Sequence, residues 1–327
     1  MPDKLRHGGD IDAAEDAFGT PEAGWLDLST GINPIPYPVG ELDPAIWQRL
    51  PTKSDEHALL DAARDCYGVP AGAGIVAAPG TQAIIQWLPV AARDCRVQIL
   101  GPTYEEHAKT WHARGHTIEI IENIEDADAD VVIAVNPNNP NGRIVESGLL
   151  MDAAARLSGR GVLIVDEAFA DVSPDISVTP QAGQPGLLVL RSFGKFYGLA
   201  GLRLGFAIGT VFDTDMIRDA LGPWAVAGPA LAIGARALAD TAWHERTSAR
   251  LKADAARLDG ILETAGMEIV GGTALYRLAH SSDAALVYET LGRAGIMVRK
   301  FDYDPAWLRF GLPGNENDWA RLEQALR

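Results

Sequence analysis

One segment of the chain places three groups at spacings that suit a covalent cofactor: Ser192-Phe-Gly-Lys195-Phe-Tyr-Gly-Leu-Ala-Gly-Leu-Arg203-Leu-Gly205. A lysine amine condenses with an aldehyde, and a hydroxyl three residues before it and a guanidinium eight residues after it are phosphate ligands. Gly194 and Gly198 let the backbone approach a ligand closely. Phe193, Phe196, Leu199 and Leu202 would desolvate the amine and make it more reactive. An aldehyde that also carries a phosphate describes pyridoxal 5'-phosphate (PLP). The competing reading is a surface lysine in a glycine-rich loop.

Five further motifs offer groups of matching chemistry. Asp166 closes the apolar run Val162-Leu-Ile-Val, the position at which open α/β sheets place ligands. A carboxylate there would hold the proton on a pyridine nitrogen; the bland alternative is a turn cap. Glu167 should face the other way. In Asn136-Pro-Asn-Asn139-Pro-Asn-Gly142, Asn139 is the candidate donor to a phenolic oxygen, against a purely structural turn. Pro79-Gly80-Thr81 leads a strand into a helix, whose first N–H groups can cradle a phosphate. Tyr104, in Gly101-Pro-Thr-Tyr, could stack on a ring or simply fill the core. Arg309, among apolar neighbours, would be costly to bury without an anion; a substrate carboxylate or an internal glutamate would serve.

These residues need a scaffold that brings strand ends together. Short apolar runs alternate with helical patterns: strands at Ile75–Ala78, Val97–Leu100, Thr117–Ile121, Val131–Val135, Val162–Val165, Leu187–Leu190 and Leu204–Ile208, with helices such as Thr81–Arg93 and Leu149–Leu157 between them. Runs apolar at successive positions suit strands buried on both faces, so the pattern predicts an α/β fold with a mostly parallel sheet. Ser54 is the expected cap of a helix ending before Gly68. From Pro229 an Ala- and Arg-rich helical stretch runs to about Ala265, followed by strand-like Leu275–Leu278 and Ile296–Lys300 and a helix at Asn317–Leu326. The expected division is an N-terminal arm (1–50) belonging to a smaller domain, a large cofactor domain (51–228) and the rest of the smaller domain (229–327).

Bulk properties narrow the partners. The 327 residues are 47% hydrophobic and 22% charged, enough for a sizeable core. A net charge of −16 argues against nucleic acid and anionic membrane surfaces. The two cysteines, Cys66 and Cys95, have no metal-type spacing, and no metal is expected. The first residues lack an apolar signal core, and no apolar run approaches the roughly 20 residues that span a bilayer. A cytoplasmic enzyme is the expectation.

The joint order Gly80-Thr81, Tyr104, Asn139, Asp166, Ser192, Lys195, Arg203, Arg309 resembles the fold-type I, aspartate aminotransferase-like PLP enzymes over nearly the whole chain, and within them the histidinol-phosphate aminotransferase branch. The resemblance implies a large domain with its central sheet between helices, a smaller α+β domain and a homodimer. It makes Lys195 the Schiff-base lysine and Asp166 the partner of the ring nitrogen. Asn139 reaches the ring oxygen, Tyr104 stacks on the ring, and Gly80, Thr81, Ser192 and Arg203 hold the cofactor phosphate. Arg309 takes the substrate carboxylate. The opening Arg6-His7-Gly8-Gly9-Asp-Ile, and Phe169 where aminotransferases usually carry Tyr, are similar instead to the threonine-phosphate decarboxylases of cobalamin biosynthesis. The short chain and Pro223-Trp224 also suit them. That resemblance implies decarboxylation of L-threonine O-3-phosphate to 1-amino-2-propanol O-2-phosphate. It points to Arg6, His7, Gly8 and Gly9, with Asn33, for the substrate phosphate. Leu50-Pro51 departs from the Tyr-Pro of aminotransferases, whose tyrosine reaches the neighbouring subunit's cofactor. The alternatives are a histidinol-phosphate or related aminotransferase, and a non-catalytic PLP-binding protein.

Overall fold

The structure is a computed structural model and describes residues 8–327; Arg6 and His7 lie outside the described residues. Two compact units emerge, one formed by the chain up to Pro36 with Glu245–Arg327, the other by Tyr37–His244. The sequence reading set these boundaries at residues 50 and 228. The later boundary differs because the helix Gly228–Ala239 packs along the helix Lys53–Tyr67 inside the larger unit.

The described chain opens with α1 (Ile11–Phe18) and the short β1 (Leu26–Asp27). The larger unit follows. After α2 (Ala45–Gln48) comes α3 (Lys53–Tyr67), which begins one residue before the expected cap. Thr52 caps it: its Oγ1 accepts from the Asp55 N–H while the Asp55 carboxylate accepts from the Thr52 N–H, closing a capping box; Gly68, left-handed at φ 66°, ends it. Strands β2 (Gly74–Ala78), β3 (Arg96–Leu100), β4 (Thr117–Ile121), β5 (Val131–Val135), β6 (Val162–Asp166), β7 (Leu187–Ser192) and β8 (Gly205–Gly209) cover all seven expected positions. Helices α4 (Thr81–Ala91), α5 (Glu105–His112) and α6 (Ser147–Leu157) connect strands, and the single turn α7 (Phe193–Phe196) follows β7.

The sheet order is β2-β8-β7-β6-β5-β3-β4, and only β8 runs against its neighbours. Val76, Ile99, Ile133, Ile164 and Leu190 are buried with Ile84 and Trp111 from the covering helices, as strands sandwiched between helices require. The register aligns the functional strand ends: Ala78 lies opposite Gly205, Gly205 opposite Ser192, and Val135 opposite Asp166.

After α8 (Val211–Leu221), the predicted single helix is two, α9 (Gly228–Ala239) and α10 (Thr241–Thr264). Asp240 divides them, its side chain accepting from the Trp243 N–H at 2.9 Å and starting a new helix.

The smaller unit contains an antiparallel sheet of β9 (Glu268–Thr273), β10 (Tyr276–His280), β12 (Arg299–Lys300) and β13 (Trp307–Gly311), in the order β12-β13-β10-β9. The short β11 (Ile296–Met297) pairs in parallel with β1, and helices α11 (Ala284–Arg293) and α12 (Glu316–Ala325) complete the unit. No helix among the described residues is long and apolar enough to cross a membrane.

Candidate active site

In the larger unit the strand ends gather most of the residues singled out by sequence. Gly80 caps α4 at φ 82°, a conformation that favours glycine. A Cβ at Gly80 would stand 2.7 Å from the Arg203 guanidinium, and one at Gly205 would stand 2.5 Å from the Thr81 N–H nitrogen. Close backbone approach at both glycines therefore brings the first N–H groups of α4 beside Arg203. Ser192, directly across from Gly205, belongs to the same corner. Arg203 is itself left-handed (φ 54°), and its Nη1 donates to the Ala200 carbonyl at 3.1 Å.

Asp166 ends β6, is 3% exposed, and accepts from the Ala168 N–H at 3.0 Å. Its other oxygen lies 2.9 Å from His107 Nε2, and the His107 side chain is equally buried. The ring of Tyr104 meets that of His107 edge-on at 6.0 Å. Burial, then the nearby Glu106 and Asp166 carboxylates, push the Tyr104 hydroxyl up to about 12, while Arg203 opposes them. Tyr104 thus senses both the Asp166 end and the Arg203 end of the site and stays neutral. Lys195 Nζ lies 5.7 Å from the centroid of the buried Phe169 ring, a cation–π distance.

Asn139 is half-buried in the loop after β5, but its neighbours shape that loop. Asn138 accepts from Thr103 Oγ1 (2.6 Å) and donates to the Pro102 carbonyl (2.9 Å). Asn136 exchanges hydrogen bonds with the Val145 backbone, and its own N–H donates to the Asp166 carbonyl at 2.9 Å. The Asn139 loop is therefore tied to the strand that carries Asp166.

Glu167 does face away from this corner. It is fully buried against Arg191 (2.8 Å), with Ser177 Oγ, Thr179 Oγ1 and the Val178 N–H donating to it, and Arg191 also pairs with Asp171 at 3.0 Å. Arg191 further stacks over Tyr67 at 4.2 Å.

In the smaller unit Arg309, 7% exposed, lies on β13 directly opposite Arg299 of β12, a like-charge pair that is unfavourable unless an anion joins it. Arg309 Nη2 donates to the Ser29 carbonyl at 2.7 Å, and its guanidinium lies 5.1 Å from the Tyr276 ring. Burial, with Arg299 adding to it, brings Arg309 down to about 10. Gly8 and Gly9 join the same segment. A Cβ on Gly8 would stand 2.4 Å from the Ser29 carbonyl oxygen, and the Gly9 N–H donates to Ser29 Oγ at 2.7 Å. Asn33 is buried, its Oδ1 accepting from Arg250 at 2.6 Å and from the Ile35 N–H at 3.1 Å.

Sequence reasoning missed His107, Arg191 and Arg299. His107 carried a usable signal, since it lies one turn after Tyr104 at the start of a helix that follows a strand end. Arg191 and Arg299 carried none, because only strand register reveals their partners.

This geometry has counterparts among known proteins. Residues 52–326 match the family described as aminotransferase class I and II, and the chain belongs to that family. Its fold is the fold-type I arrangement expected from the motifs. Two relatives named threonine-phosphate decarboxylase are similar over almost their entire length. The one from Pseudomonas aeruginosa is 42% identical (98% of this chain, 97% of the relative), and that from a Sinorhizobium species is 44% identical (100% and 98%). Among solved structures, histidinol-phosphate aminotransferase from Clostridium acetobutylicum superposes with a TM-score of 0.82 at 23% identity, covering 92% of this chain and 98% of that one. The enzyme from Sinorhizobium meliloti, in complex with pyridoxal-5'-phosphate, gives 0.81 at 20% identity (96% and 93%).

Proposed function

We propose that this protein is a PLP-dependent carboxy-lyase that converts L-threonine O-3-phosphate into (R)-1-amino-2-propanol O-2-phosphate, the linker precursor of cobalamin. The observation that carries this reading is the 42–44% identity, end to end, to threonine-phosphate decarboxylases.

The residues present fit the cofactor. Gly80 and Gly205 leave no room for a side chain where Arg203 and the start of α4 meet, a cradle suited to a phosphate. Asp166 is a buried carboxylate held by His107, as a partner for a protonated ring nitrogen must be. Lys195 supplies the amine, Tyr104 the stacking ring and Asn139 the donor to the ring oxygen. Thr81 and Ser192 complete the phosphate ligands.

PLP, when bound, supplies an electron sink for the pair left at Cα once carbon dioxide departs. Asp166 keeps the proton on the ring nitrogen, and His107 keeps Asp166 oriented. Lys195 would supply the amine that holds the cofactor. Arg309 orients the substrate carboxylate, with Arg299 adding positive charge beside it. Gly8 and Gly9, with Arg6, His7 and Asn33, are assigned to the substrate phosphate. Phe169 offers no hydrogen bond to the ring oxygen, unlike a tyrosine in that place, and so leaves Asn139 as its donor.

The active species is taken to be a cytoplasmic homodimer. Trp47, Leu50 and Trp224, 68%, 62% and 58% exposed, support a second copy covering this surface. The deciding experiment feeds L-threonine O-3-phosphate to PLP-loaded enzyme. Carbon dioxide with aminopropanol phosphate and no keto acid is expected. Conversion of the cofactor to its amine form, with a keto acid released, would establish an aminotransferase instead.

A further inference from the structure

Lys195 sits in α7, a helix of four residues. One turn has no stability of its own, so its contacts with the rest of the unit set its direction. Phe193 and Tyr197, one turn apart, stack with centroids 4.1 Å apart and planes 7° from parallel. Tyr197 is likewise nearly parallel to Trp243 of α10 at 5.6 Å and 8°. Phe196 meets Trp243 and His244 edge-on at 5.4 and 5.5 Å. Stacked rings resist separation but slide readily within their planes.

Directional bonds stop the slide. Tyr197, fully buried, places its hydroxyl 2.6 Å from His244 Nε2, and its carbonyl accepts from the Tyr37 N–H at 2.8 Å. The Cys66 thiol of α3 lies 3.9 Å from that hydroxyl and 4.0 Å from His244 Nδ1, and the Ala237 carbonyl is 3.2 Å from Nε2. Burial holds His244 below its ordinary 6.5 against the opposing pull of Asp171 and Asp240, and pushes the Tyr197 hydroxyl well above 10. Both partners are therefore neutral at neutral pH. Because a hydroxyl both donates and accepts, the bond persists for either ring tautomer.

From this geometry we propose that the Tyr197–His244 pair is a positioning device for Lys195: it fixes α7 so that Nζ meets the cofactor aldehyde in a reactive orientation, without itself touching cofactor or substrate. The proposal rests on the reading of Lys195 as the cofactor lysine and adds two residues to it.

The test separates covalent capture from binding. Apoenzyme is mixed with PLP, and condensation of Nζ with the aldehyde, which forms C=N and releases water, is followed by absorbance. Pyridoxine 5'-phosphate, which has no aldehyde, reports affinity for the same pocket independently of Lys195. Loss of one hydrogen bond in Tyr197→Phe, or in His244→Leu, is expected to slow capture about three- to tenfold. The double variant should be no slower than the slower single one, because both remove the same bond. His244→Gln, which keeps a hydrogen-bonding group, should recover part of the rate. Pyridoxine 5'-phosphate should bind all variants as it binds the wild type. Unchanged capture in Tyr197→Phe, additive losses in the double variant, or an equal loss of pyridoxine 5'-phosphate affinity would each overturn the proposal. Tyr197→Phe keeps the stacked ring and carries the test alone if His244→Leu does not fold. A wild-type enzyme whose absorbance matches that of Lys195→Ala would overturn the assignment of Lys195 itself, and this proposal with it.

Discussion

Replacing Arg309 with methionine is expected to abolish useful catalysis with little change in the stability of the protein. A guanidinium brought from 12.5 to about 10 by burial is disfavoured in its charged form by on the order of 3 kcal/mol. Methionine removes that penalty and fills similar apolar space. It also forfeits the bond from Nη2 to the Ser29 carbonyl, worth about 1.5–3 kcal/mol for a charged donor. It loses the contact with the Tyr276 ring as well, so the relief and the losses are of the same order and Tm is expected to change by no more than a few degrees. The sign with pH is fixed. The folded-state value lies below the unfolded one, so the penalty is present in full below about pH 10 and is relieved only as pH climbs from there. The stability difference should therefore be flat across neutral pH. Activity behaves oppositely, since two charge-assisted bonds to a carboxylate are worth about 3–6 kcal/mol, a fall of roughly 10²- to 10⁴-fold in kcat/KM. Calorimetry and steady-state decarboxylation of threonine phosphate measure the two arms. A Tm lower by several degrees would refute the burial argument, and a kcat/KM within tenfold of wild type would refute the carboxylate assignment.

Two other perturbations probe the larger unit. Gly80→Ala forces a side chain into a left-handed residue and against Arg203. It should weaken PLP affinity at least tenfold in equilibrium dialysis without lowering the yield of folded protein. His107→Leu removes a charge-assisted hydrogen bond from the buried Asp166, for an expected loss of about 10- to 100-fold in kcat/KM. His107→Asn, which can still donate, should fall less; equal losses would show that the imidazole does not act through Asp166.

The sequence was most informative where a periodicity or a short offset encodes the outcome. The inner strands of the large sheet were readable because burial on both faces demands unbroken apolar runs such as Val131–Val135, and the exposed edge strand β4 was readable from its β-branched residues. The corner of Gly80, Ser192 and Arg203 was readable because its members flank strand ends. Strand β13, which carries Arg309, was not, since Trp307-Leu-Arg-Phe-Gly mixes a cation into a buried strand and resembles no pattern of period two. The division of the long helix at Asp240 was hidden by helix formers on both sides. Registers that join residues far apart in sequence, such as Arg299 opposite Arg309, leave no local trace at all.

The reversed strand β8 also bears on how the protein comes to exist. β2 holds its place in the large sheet only by pairing with β8, so residues 74–78 wait for residues 205–209. Contacts that span so much chain form late, because loop closure must precede their reward. The corner where Gly80 meets Arg203 is thus among the last parts of the unit to be assembled, after the local β-α-β pieces between β3 and β7. During synthesis it cannot exist until Gly205 has cleared the ribosome. Phosphate affinity at that corner then serves as a marker of completed topology, and added cofactor would stabilise finished molecules rather than speed their folding.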